Sequence, residues 1–471
     1  MACLAIALSM CALSCSPPTT DSGREAPQRT REDLLGAASG WNVVLISIDT
    51  LRADRLNAYG YDVRTTSPEM DALIGAGLRF DQATAPRGET WPSLATALTG
   101  LLPTGHGLVH NGDSFPEGLP TLPLILDEQG YQTGAFYSNM CDANHLGWDT
   151  NSCTSSQDQR LLVQAEEWLK QVNSDEPVLL WTHFFGAHGP YYNGGDLARQ
   201  WDPDYDGIVA PKKGVLNRIQ TQGIELDEAD LRHLDAVYDA SVFGTDLRVG
   251  RLLDLVAQHL DRERTIVVLI ADHGEDLYQH NGYLYHSCSV YESSLRVPFS
   301  IVAPGLIEPG GVTPQPVELA DLLPTLLDLL GLDFPACQHG QSLLPYLVRP
   351  DREGAGKLAL SEYGIAPIGT VRQGDWKLIE NPTDHRQVCL AGTDENFYPI
   401  GTAELYDLGS DPREQTNLVS TQPERAEQLS ALRKERIGRL CRPDVDLEQQ
   451  ELSPERIKAL EDLGYVVPRR N

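Results

Sequence analysis

Four short runs of apolar, largely β-branched residues constrain this 471-residue chain more than anything else in it. They are Val43–Ile48 (VVLISI), Val178–Trp181 (VLLW), Thr265–Ala271 (TIVVLIA) and Val297–Val302 (VPFSIV). A strand with one wet face alternates apolar and polar residues, whereas these runs are continuous, as in strands buried on both faces of a parallel sheet. Between them lie stretches with helical periodicity: Leu161–Val172, Glu228–Leu260 and Leu319–Leu330, the last stopped by Gly331. Such alternation predicts a doubly wound α/β core over residues 41–350. Beyond it the pattern changes to short strand-like pieces (Thr370–Arg372, Trp376–Ile379, Glu404–Leu408) and a charged helix near Gln422–Leu440. Residues 351–471 therefore read as a smaller C-terminal α+β region.

The first fifteen residues, MACLAIALSMCALSC, carry no charged side chain. They are too short for a bilayer-spanning helix, which needs about 20 apolar residues, but have the length of a signal-peptide core. Their ending, Ala12-Leu13-Ser14-Cys15, resembles a bacterial lipobox with Cys15 as the lipid-modified residue. Residues 1–15 are thus expected to direct export to a bacterial periplasm or cell envelope as a lipoprotein, anchored to the membrane by lipid. Residues 16–40 are expected to form a flexible tether. Six cysteines then remain, Cys141, Cys153, Cys288, Cys337, Cys389 and Cys441. An even number in an oxidising compartment predicts disulfides, with Cys141–Cys153 the easiest local pair. The formal net charge of −30 repels nucleic-acid phosphates and argues against a DNA or RNA partner.

In open α/β sheets ligands bind beyond the carboxyl ends of the strands. Asp49 follows the first run, Asp272 and His273 follow the third, and His183 and His188 come just after VLLW. Singly, each has an ordinary structural role, since an Asp after a strand is most often a turn or N-cap residue. Three strands delivering such side chains to one edge predict a site. The stretch Glu89–Gly100 (ETWPSLATALTG) adds a hydroxyl. Pro92 suits a first helical turn and Gly100 a helix end, which places Thr90 at the N-terminus, where N–H groups and the dipole favour an anion. On the residues alone, N-cap and nucleophile are equally good roles for Thr90. As a nucleophile it needs a base or a metal, and Asp49, Asp272 and His273 are the residues to hold a metal.

The segments VVLISIDTLRADRLNAYGYDVRTTSPEMDAL, ETWPSLATALTG-LLPTGHG, IADHGEDLYQHNGYLYH and VPFSIVAPG resemble successive blocks of the sulfatase family. DLLPTLLDLLGL, GQSLLPYL, ELYDLGSDPREQTNL and ALEDLGYV extend the resemblance over residues 41–467. It implies an alkaline-phosphatase-like α/β sandwich around a large, mostly parallel sheet, and metal-dependent hydrolysis of a sulfate or phosphate ester. Position by position, it implies Asp49, Thr90, Asp272 and His273 at the metal, with Thr90 as nucleophile. It further implies His286 as a contact of the ester oxygens. GAHGPYY (Gly186–Tyr192) resembles a block of the phosphoethanolamine transferases and makes His188 a second such contact. His183 and Lys377 are expected to bind substrate. One or two divalent ions are implied, Zn²⁺ or Mn²⁺ rather than Ca²⁺ or Mg²⁺, because His273 stands where calcium sulfatases carry Asn.

Two departures matter. Thr50 occupies the place of the family's second Asp, and Thr90-Trp91-Pro92-Ser93-Leu94 replaces the C/S-x-P-x-R that yields formylglycine. Threonine cannot become that aldehyde, and Leu94 replaces the Arg. The resemblance therefore implies a direct threonine nucleophile, as in the superfamily's phosphodiesterases and phosphoethanolamine transferases. Arg87 reads as a surface residue, and His106 and His110 as structural or loop-facing. The expected partner is an anionic ester on a glycan or lipid headgroup. Two other functions stay open: a phosphoethanolamine-type transferase, favoured by GAHGPYY and His286, and a catalytically dead glycan-binding homologue, favoured by the missing Arg and Asp.

Overall fold

A computed structural model describes residues 29–138, 146–154, 156–280, 282–287, 289–352, 357–362, 368–381 and 401–447. Its strands are β1 (Asn42–Ile48), β2 (Leu78–Thr84), β3 (Gln132–Tyr137), β4 (Thr150–Cys153), β5 (Val178–Phe184) and β6 (Thr265–Ala271). A short hairpin follows, β7 (Asp276–Leu277) and β8 (Leu284–Tyr285), then β9 (Arg296–Val297), β10 (Phe299–Val302) and β11 (Gly311–Glu318). Apart from the hairpin these form one sheet in the order β11-β2-β10-β6-β1-β5-β3-β4, with β9 beside β2. β1 lies at its centre, parallel to β5 and β6. Val43, Val44 and Ile46 of β1 and Leu179 and Leu180 of β5 are fully buried, as their unbroken apolar runs require.

The register positions the site. Ile48 pairs with Phe184 on one side and with Ala271 on the other, so β1, β5 and β6 end level. Asp49 and Asp272, one residue further on, emerge together at that edge, with strands about 4.8 Å apart.

Two strands differ from expectation. The VLLW run continues to Phe184, so His183 lies inside β5, where Ser47 of β1 receives its ring: Nδ1 is 2.9 Å from Ser47 Oγ. VPFSIV breaks at Pro298, which has no N–H to give a ladder, and β10 runs antiparallel to both β6 and β2. The chain returns from β6 to β10 through a hairpin and one short helix, without the crossover that a parallel neighbour needs.

Helices cover the sheet: α1 (Pro68–Gly75), α2 (Thr90–Thr99), α3 (Asp158–Leu169), α4 (Glu228–His259), α5 (Glu292–Leu295) and α6 (Leu322–Leu330). The segment from Leu319 opens as a 3₁₀ turn before α6 begins. α4 starts in a capping box between Asp227 and Asp230. The described end of the expected tether is docked rather than loose, with Leu34 and Ala38 buried and the Gly36 and Ala38 amides bonded to Asp328 and Leu329 of α6.

A second sheet, antiparallel, comprises β12 (Leu358–Glu362), β13 (Gly369–Gln373), β14 (Trp376–Glu380) and β15 (Ala403–Asp407). Helix α7 (Pro423–Gly438) packs on it through Ala426 and Leu429. A disulfide, Cys337–Cys441, closes 104 residues of chain and ties the segment after α7 to the segment after α6. Cys153 is disulfide-bonded too, but the expected partner Cys141 lies outside the described residues, as do the leader and its lipobox. Among the described residues no helix is long and apolar enough to cross a membrane.

Candidate active site

Asp49, His183 and Asp272, from β1, β5 and β6, each offer one donor atom, and the three donors lie within 4.8 Å of one another. His273 joins them: its Nε2 is 3.7 Å from Asp49 Oδ1, 3.6 Å from Asp272 Oδ2 and 3.4 Å from Thr90 Oγ1. All five residues are fully buried. The cluster unites the expected Asp49, Thr90, Asp272 and His273. It also takes in His183, expected among the substrate contacts, whose Nε2 stands 3.9 Å from Asp49 Oδ2.

The rings are held from behind. His183 Nδ1 meets Ser47 Oγ, which also accepts the Trp181 indole N–H at 2.8 Å. His273 Nδ1 donates to the Gly274 carbonyl at 2.9 Å, which turns the Nε2 lone pair toward both carboxylates and the Thr90 hydroxyl. Engagement of one ring nitrogen by a fixed partner is the usual support of a metal-binding imidazole. Burial holds His183 and His273 down to about 4, so both are neutral and able to ligate near neutral pH. Burial likewise pushes Asp272 up to about 6. Asp272 Oδ2 and His183 Nε2 are buried without hydrogen-bond partners, an arrangement costly for a protein unless a further group satisfies them. Two carboxylates and two imidazoles converging on such atoms fit a divalent cation.

His188 and His286 are brought together, with ring centroids 4.9 Å apart, and His286 is 4.5 Å from His273. Burial depresses both, His188 to about 4 and His286 well below the ordinary imidazole value. The His188 loop is shaped by Asp158 at the start of α3, which accepts the Phe185 amide at 2.9 Å, the Gly186 amide at 3.3 Å and Asn193 Nδ2 at 3.0 Å.

At α2 the N-cap is Glu89 and Thr90 is the first helical residue. The helix amides are not all open to an anion, because the Trp91 amide donates to Asn111 Oδ1 at 2.8 Å. Asn111 Nδ2 is itself buried without a partner, so the donor at this helix end is carried one group outward. Sequence reasoning missed Asn111, since Asn111-Gly112 has the composition of an ordinary turn. Glu89 fixes the arrangement, accepting the Asn111 amide at 2.9 Å and pairing with His110 Nδ1 at 3.1 Å.

One further expectation is corrected. Arg87 is 2% exposed rather than on the surface. Lys377, expected to bind substrate, has its Nζ 2.9 Å from Glu292 Oε1 and 2.8 Å from Glu414 Oε1, so two buried carboxylates engage its ammonium. Thr50, in the place of the family's second Asp, contributes its backbone: at φ 55° its amide donates to Asp272 Oδ1 at 3.1 Å. A second donor group, Cys337, His339 and Cys441, is no metal site here. Its sulfurs are joined, and His339 accepts the Leu102 amide at Nδ1 and donates from Nε2 to the Cys441 carbonyl.

The family model described as Sulfatase matches residues 41–332, and one described as N-sulphoglucosamine sulphohydrolase, C-terminal, matches residues 281–387. The Ulvan-active sulfatase of Formosa agariphila is 25% identical over 459 residues, covering 90% of this chain and 81% of its own. A protein solved in complex with its substrate D-glucosamine-2-N,6-O-disulfate superposes with a TM-score of 0.69 at 21% identity, over 84% of this chain and 97% of that one. The phosphonate monoester hydrolase of Agrobacterium radiobacter superposes at 0.67 with 20% identity, over 84% and 96%. At these identities the solved structures establish a shared fold.

Proposed function

This chain belongs to the sulfatase family of ester hydrolases, and we propose that it cleaves a sulfate or phosphate ester with Thr90 as its nucleophile. The observation that carries the proposal is Thr90 Oγ1 lying 3.4 Å from His273 Nε2, which itself lies beside the buried carboxylates of Asp49 and Asp272. Asp49, His183, Asp272 and His273 would hold a divalent ion, which when bound lowers the pKa of a neighbouring hydroxyl and draws negative charge from ester oxygens. Two imidazoles in the set favour Zn²⁺ or Mn²⁺ over Ca²⁺ or Mg²⁺.

Thr90 Oγ attacks sulfur or phosphorus, the bond to the leaving oxygen breaks, and the proton given up by the Thr90 hydroxyl ends on the released alcohol. Water then cleaves the threonine ester and releases sulfate or phosphate. Asn111 Nδ2, buried without a hydrogen-bond partner at the start of α2, supports a donor to a non-bridging oxygen. His188 and His286, neutral through burial, take up a proton as the anionic ester enters and then donate to it, since a nearby negative charge raises an imidazole pKa. The names of relatives support a sulfated sugar as the leaving side. Residues 1–15 support a place at a bacterial cell envelope, with 41–350 as the catalytic unit and 351–471 as the smaller region.

Aryl sulfate, aryl phosphate, phosphodiester and phosphonate monoester substrates should be compared with Zn²⁺, Mn²⁺, Ca²⁺ and Mg²⁺. Thr90→Ala should lower kcat by at least about 10³-fold while the melting temperature is kept. An unchanged rate overturns the nucleophile. The pairing of His188 with His286 also favours transfer to an acceptor alcohol, which product analysis with added alcohols separates from hydrolysis.

A further inference from the structure

We propose that Glu275 is a positioning residue that holds His188 and His286, carried on separate loops, against each other across the ester pocket. The proposal rests on the functional reading above. Glu275 is fully buried in the turn after β6. Its Oε1 lies 3.3 Å from His286 Nδ1, and the Gly189 amide reaches the same carboxyl group. Gly189 is also the residue whose carbonyl lies 2.6 Å from His188 Nδ1. One carboxyl group therefore touches the ring of one loop and the backbone that orients the ring of the other.

Glu275 is itself anchored. Its amide donates to the Ser293 carbonyl at 2.9 Å, and its carbonyl accepts from Arg52 Nη1 at 2.9 Å. His286 needs such a brace, because it sits between Tyr285 at φ 80° and Ser287 at φ 76°. Non-glycine residues in the left-handed region persist only where their surroundings over-determine them, and they cluster at functional sites. The Tyr283 hydroxyl bonds the His286 carbonyl and Glu275 meets its ring, so backbone and side chain are fixed separately.

A double-mutant cycle on the full-length, metal-loaded protein tests this. Glu275→Ala should lower kcat about 10- to 100-fold, the cost typical of removing a supporting partner, at unchanged metal content. Glu275→Gln keeps a hydrogen-bonding oxygen and should recover most of that loss. In the His286→Ala background, Glu275→Ala should cost no more than about twofold, because the ring it orients is gone. Equal losses in both backgrounds, or a loss that follows metal content, overturn the proposal. Binding of inorganic phosphate, measured by calorimetry in the same four proteins, should repeat the pattern. That readout needs no turnover: a wild type inactive on every ester refutes the functional reading, and the phosphate cycle still decides the role of Glu275.

Discussion

His183 adds a second imidazole to a cluster that already joins two carboxylates to His273. If it ligates, the Ser47 hydroxyl behind it belongs to the metal site as well. Ser47→Ala should weaken zinc binding about 10- to 100-fold, as loss of such outer partners does, and His183→Ala should weaken it more. Competition with a chelator measures both. If His183 instead contacts substrate, zinc affinity will not move and KM will rise. Asp49, Asp272 and His273 were legible in the sequence because each directly follows an apolar run, and a strand end is a fixed address in an open sheet. The position of His183 was not, because Thr182 and His183 interrupt the apolar pattern, and what keeps them in the strand is Ser47, 136 residues away. The ion pairs of Lys377 were hidden for the same reason, as its partners Glu292 and Glu414 are remote in sequence.

Among the elements, α2, which carries the proposed nucleophile, is immobilised from its far end. Gly100 closes the helix at φ 68°, and its carbonyl accepts the amides of His339 and Gly340, both at 3.0 Å, and Gln338 Nε2 at 2.9 Å. Beneath it, His106 accepts the Leu108 amide at Nδ1 and donates from Nε2 to Thr96 Oγ1, which bonds the Pro92 carbonyl. Burial drives its pKa down to about 3. In the unfolded chain an imidazole titrates near ~6.5, so as pH falls below that the unfolded state gains a proton that the folded state refuses. Stability present above about pH 6.5 is therefore lost progressively toward pH 3. His106→Gln carries one donor and one acceptor and no such proton. In chelator, its melting temperature should fall less between pH 7 and pH 5 than that of the wild type. The difference will be partial, since His183, His188 and His273 are depressed in the same direction. Identical pH slopes would remove His106 from this account. At this scale TIVVLIA was read to the residue, whereas the antiparallel course of VPFSIV was not, because apolar periodicity carries no strand direction.

Taken as a whole, the molecule carries a formal charge of −30, yet its site is built for an anion. A cation, imidazoles and the donor at the α2 N-terminus can make a pocket locally positive while the surface repels the same ester at a distance. Raising the salt concentration screens that surface, so kcat/KM for an anionic ester should increase with ionic strength at constant metal occupancy. The Cys337–Cys441 disulfide acts at the same scale, and its connectivity could not be deduced from cysteine spacing. It fastens the segment after α7 to residues 338–340, which close the C-terminal end of α2. Two consequences are separable. A link closing about 100 residues mainly restricts the unfolded chain, and removing it should cost about 2–4 kcal/mol of stability. The Gln338, His339 and Gly340 bonds to Gly100 do not involve sulfur and should persist without the link. The Cys337→Ser/Cys441→Ser protein should therefore unfold at clearly lower denaturant concentration, with kcat at 25 °C within about twofold of the wild type. A parallel fall in kcat would mean that the covalent link itself holds α2, and with it Thr90, in place against His273.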